Sequence, residues 1–148
     1  MSKQILFPTD FSIASQTALP YATSLARDRQ ASLLIVHVVE GDKYPAGRWF
    51  QKGPKVSTEE TAQLEEILPA DSSVEFEHRM LFGSDSKNPP NPAGEILMLA
   101  KQENVDAIVM GTHGRSGIDH LLMGSVAESV VHHATCPVVT VKQPHNKQ

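Results

Sequence analysis

The chain has 148 residues, 40% apolar and 20% charged, enough for one domain with a substantial core. A net charge of −4 argues against a nucleic-acid binder, which would carry a basic patch or stripe. One cysteine, Cys136, excludes an internal disulfide, and no apolar run has the length of a signal peptide or membrane span, so a cytoplasmic protein without a membrane partner is expected.

The first apolar run, QILF, closes at Pro8 and Asp10 and reads as a strand. From about 12 to 29, Ala14, Ala18, Tyr21, Ala22 and Leu25 recur at helical spacing. Pro20 lies inside that pattern and, lacking a backbone donor, is expected to kink the helix. SLLIVHVV, residues 32–39, is apolar except for His37, as a strand covered on both faces would be. Residues 40–56 read as a loop carrying Tyr44, Trp49 and Phe50. Ser57 and Glu60 then stand at capping-box spacing before a short helix. In SVEFEHRML, Val74, Phe76, His78 and Met80 alternate with polar residues, which predicts a strand with one wetter face near a sheet edge. The segment 84–92 is rich in proline and asparagine and reads as a loop. A helix over about 94–103, the strand DAIVM, a glycine-bearing loop, a helix over about 125–134 and the strand PVVTV complete the chain.

Strands alternating with helices predict an α/β fold. The expected form is a doubly wound, five-stranded parallel sheet with helices on both faces, one domain over residues 1–148. Such sheets bind ligands beyond the carboxyl ends of their strands, where the strand order reverses. PTD after the first strand and GTHGRSGIDHLLMGS after the fourth both lie at such ends.

Glycine without a Cβ lets backbone amides approach a phosphate, and a helix N-terminus adds unpaired N–H groups and a favourable dipole. Gly111 and Gly114 would shape one wall of such a site. Gly124, Ser125 and the Val126 amide would form the other, with Arg115 supplying positive charge. The charge distribution is compatible: residues 111–148 carry three basic and two acidic side chains, against ten and fifteen in the first 110. The alternative is that these glycines only make turns.

The spacing of Gly111, Gly114, Gly124 and Ser125 resembles the nucleotide-binding motif of universal stress proteins, Gly-x2-Gly-x9-Gly-(Ser/Thr). The likeness extends through ILFPTDFS, LLIVHV, DAIVMGTHG and CPVVTVK, nearly the whole chain. It implies a Rossmann-like strand order of 3-2-1-4-5, with ATP, alone or with Mg²⁺, between the first-strand and fourth-strand loops. By that resemblance Asp10 bonds the ribose hydroxyls and Thr9 and Val38 flank the adenine. Pro8 and Met110 complete the nucleotide-binding set. The family also implies a homodimer through the strand at 137–141. The loop 83–94 departs from the family in being longer and richer in proline; it is a candidate lid over the base or a plain surface insertion.

Simpler roles stand beside each of these. Ser125 and Glu128 have capping-box spacing, so Ser125 would cap its own helix without any ligand. Asp10 could serve as N-cap of the first helix, a role open equally to Ser12. His37 reads as a hydrogen-bonded core residue, and His113 and His120 as solvent-exposed. HHATC lacks the ligands of a four-coordinate metal site. No Lys-(Ser/Thr) pair follows the glycines and no catalytic constellation is evident, so no catalytic residue is assigned. The expected function is that of a nucleotide-responsive signalling or binding module in a stress response. The alternatives are an interaction module that binds no nucleotide and a slow ATPase.

Overall fold

The computed structural model describes residues 3–39, 58–82, 91–113 and 123–143. In chain order these form β1 (Gln4–Pro8), α1 (Ile13–Asp28), β2 (Ser32–Val39), α2 (Thr58–Glu65) and β3 (Phe76–Phe82), then α3 (Pro92–Gln102), β4 (Ala107–Gly111), α4 (Ser125–His133) and β5 (Val138–Val141). The strands make one parallel sheet in the order β3-β2-β1-β4-β5, as expected.

Alternate residues of the central strands feed two cores. Ile5, Phe7, Leu33, Ile35 and Val109 pack with α1 and α2, and Leu6, Leu34, Val36 and Ile108 with α3 and α4. Both faces of β2 are thus covered, which explains its unbroken apolar run. α1 presents Ala14, Ala18, Ala22 and Ala26 at four-residue spacing, each at most 5% exposed, so its backbone lies close to the sheet. Pro20 is on its exposed side and the helix runs on past it.

Several boundaries moved. α3 starts at Pro92, not near 94, because the Asn91 side chain accepts from the Gly94 amide and proline suits the first helical position. Residues 91–94 therefore belong to a helix start, while 83–90, the body of the proposed lid, and Tyr44, Trp49, Phe50 and Ser57 lie outside the described residues. β3 starts at Phe76. As an edge strand it leaves Phe76 45% exposed, and Val74, ahead of the strand, fills the core instead. α1 and α3 each end in a residue with left-handed backbone, Gln30 (φ 54°) and Asn104 (φ 50°). The next amides, of Ala31 and Val105, return to the Ala26 and Ala100 carbonyls.

Candidate functional site

The sheet order reverses between β1 and β4, whose carboxyl ends splay their following segments apart. A cavity of about 760 Å³ opens there. Its walls are the Pro8–Ser12 turn, the ends of β2 and β4, and the starts of α2, α3 and α4.

The Thr9–Ser12 turn is held by its own side chains. The Phe11 amide donates to Thr9 Oγ1 (3.0 Å) and the Ser12 amide to Asp10 Oδ1 (3.0 Å). Ser12 is the N-cap of α1, its Oγ accepting from the Ser15 amide (3.1 Å). Asp10 is therefore not the cap; one of its oxygens closes the turn in front of it. Thr9 is buried, bonded through its hydroxyl to Ser15 Oγ (2.9 Å) and through its amide to the Val36 carbonyl (2.8 Å). Phe11 has φ 68°, a conformation that costs a bulky residue about 1–3 kcal/mol, so these bonds hold the chain where it would not rest alone.

The opposite wall is anchored at Thr112. Its amide donates to the Val141 carbonyl (3.1 Å), and its carbonyl accepts from the Gly124 amide (2.6 Å), seating α4 beside the end of β4. The N-cap of α4 is Gly124, which provides no side-chain cap. This overturns the expected capping box. Ser125 sits one position too far along, at the first helical residue, where its hydroxyl is not the cap. Among the described residues no side chain caps the first-turn amides of Ser125, Val126 and Ala127, and all three residues line the cavity. The Gly124 amide is already committed to Thr112.

Gly111 has a reason of its own. A Cβ there would stand 2.6 Å from the Ala14 carbonyl oxygen, so its absence is what lets β4 pass under the first turn of α1. Gly124, at φ −74°, makes no such conformational demand.

Pro8, Thr9, Asp10, Val38, Met110, Gly111, Gly124, Ser125 and Val126 all line the one cavity, and Gly114, Arg115 and His120 lie outside the described residues. Sequence reasoning missed His37, Glu59, Glu60, Gln63, Pro92, Ile96 and Thr112 as cavity residues. They come from α2, α3 and the strand ends, and only the packing of those elements brings them in; the Thr in GTHG was the sole local signal. The described lining holds Asp10, Glu59 and Glu60 together with the imidazoles of His37 and His113, and no lysine or arginine. His37 is a core residue, 5% exposed, with both ring nitrogens bonded. His113 is half-buried against Thr112 Oγ1, not solvent-exposed.

Residues 1–142 match the model of the universal stress protein family. The chain belongs to that family. Universal stress protein MJ0531 of Methanocaldococcus jannaschii is 34% identical over 148 positions, covering 96% of this chain and 83% of that protein. Two solved structures share the fold of this universal stress protein. One is a universal stress protein in complex with cAMP (TM-score 0.64, 23% identity, 95% of this chain and 97% of that one). The other is that of Archaeoglobus fulgidus in complex with dAMP (TM-score 0.62, 23% identity, 95% and 97%). Among the described residues no helix is long and apolar enough to cross a membrane.

Proposed function

We propose that this universal stress protein binds an adenine nucleotide, ATP above all, in the cavity between the Thr9–Ser12 turn and the start of α4. The observation that carries the reading is the N-terminus of α4, without a side-chain cap among the described residues, facing the Asp10 turn across about 760 Å³. Cavities of roughly 300–1,000 Å³ take ligands of nucleotide size, and a first helical turn, whose amides have no intrahelical partner, favours phosphate. In this reading Asp10 meets the ribose hydroxyls, and Val38 and Thr9 lie against the base. The Ser125 and Val126 amides meet phosphate, with Pro8, Met110 and Gly111 as walls. Gly114 and Arg115 would complete the phosphate end, and Mg²⁺ would serve as counter-ion to ATP. The relatives that hold cAMP and dAMP lend the base its identity; at 23% identity they speak to the fold, and this chain's own cavity must carry the rest.

Occupancy would work as a signal. Nucleotide bridging the β1 and β4 sides would stabilise one arrangement of the intervening loops, and a partner reading that surface would sense it. The protein would act as a cytoplasmic homodimer, joined through β5, and as a binder with at most weak hydrolysis.

One observation favours the reading without nucleotide: Gly111 is explained fully by its contact with Ala14, so at least one motif glycine needs no ligand. Mass spectrometry of the natively purified protein, followed by calorimetric titration with ATP, separates the two. Co-purified adenine nucleotide, or micromolar ATP binding, supports the proposal. An empty protein that ignores ATP, AMP and cAMP overturns it.

A further inference from the structure

The imidazole of His37 touches the site at three points. His37 Nδ1 lies 2.9 Å from the Thr9 carbonyl oxygen, and the His37 ring stacks on that of Phe11 with centroids 4.2 Å apart. His37 Nε2 lies 3.2 Å from Glu60 Oε2, on the first turn of α2. Thr9 and Phe11 flank Asp10, so the ring grips the turn on both sides of the residue assigned to the ribose. A shift of this ring moves Asp10.

A carbonyl only accepts, so the bond to Thr9 runs from Nδ1–H to the carbonyl oxygen, while Nε2 meets the Glu60 carboxylate. α2 has eight residues and buries only Leu64 among them, and the His37–Glu60 bond adds a polar tie between it and the sheet end.

We infer that Glu60, acting through His37, is a positioning residue: it fixes the Thr9–Ser12 turn and so sets the cavity's affinity for nucleotide. The inference deepens the nucleotide reading and rests on it for its effect on affinity. Asp10, Glu59 and His113 are the other titratable groups of the described lining. Changing Glu60 alone therefore alters the local charge as well as the bond, and the test needs two variants of equal charge.

Glu60→Ala removes the bond. Glu60→Gln removes the same charge but keeps a side-chain amide that can bond Nε2. Glu60→Ala is expected to bind ATP about five- to tenfold more weakly than Glu60→Gln, which carries the same charge. Without ligand, the amide resonances of Asp10 and Phe11 should shift in the alanine variant and stay in the glutamine variant. Equal ATP affinity, or equal Asp10 and Phe11 shifts, in both variants overturns the inference. If the parent binds no ATP the nucleotide reading fails instead, and the ligand-free spectra still decide the positioning role.

Discussion

Replacing Ser125 with proline isolates the contribution of one backbone amide. Ser125 is the first residue of α4, where proline is favoured because that N–H has no intrahelical partner. A proline also requires extended backbone in the residue before it, and Gly124 already has φ −74° and ψ 164°. Ser125 is exposed, so the ring meets open space on its outer side. The folded state should tolerate the change, with stability altered by less than about 1 kcal/mol. If the Ser125 amide donates to phosphate, its loss removes a hydrogen bond to a charged group, worth about 1.5–3 kcal/mol. Micromolar binding totals about −8 kcal/mol, so affinity should fall at least tenfold while the Val126 and Ala127 amides retain part of the site. Ser125→Ala, which removes only the hydroxyl, separates the side chain from the backbone. Calorimetry with ATP beside a urea melt reads both quantities. Ser125→Pro binding ATP with parental affinity at unchanged stability would refute the assignment of phosphate to the α4 N-terminus.

Gly111→Ala drives a Cβ to 2.6 Å from the Ala14 carbonyl oxygen and should cost about 1–3 kcal/mol of stability, seen as a lower urea midpoint even without nucleotide; an unchanged midpoint would contradict the packing role. Gln30→Gly relieves a left-handed residue at the end of α1 and should stabilise by about 0.5–1 kcal/mol in the same assay. At β5 the Pro137 and Val141 carbonyls bond the Ile108 and Thr112 amides, so by parallel alternation the Thr140 N–H points away from β4. Thr140→Pro should then weaken a dimer joined along this edge while sparing the fold, and a parent that sediments as a monomer at micromolar concentration would remove the dimer altogether.

The order of strands and helices was legible because each depends on near neighbours in the chain. A continuous apolar run such as Leu33–Val36 announces a strand buried on both faces, and the alanine stripe of α1 a helix laid close on a sheet. The glycine spacing pointed to one end of that sheet, and nine of the eleven proposed site residues line one cavity there. What local pattern could not decide was how each end is satisfied. Ser125 and Glu128 have the spacing of a capping box, yet the Thr112–Gly124 bond starts α4 one residue earlier and puts Gly124, which has no side chain, at the cap. Gly111 looked like a phosphate glycine, and only the approach of α1 shows which atom its missing Cβ avoids. His37 and Glu60 are 23 residues apart and meet only because α2 folds back over the end of β2. Periodicity records which way a side chain faces along its own element. What it meets across the gap depends on the distances between elements, and those exist only once the sheet and its helices have packed.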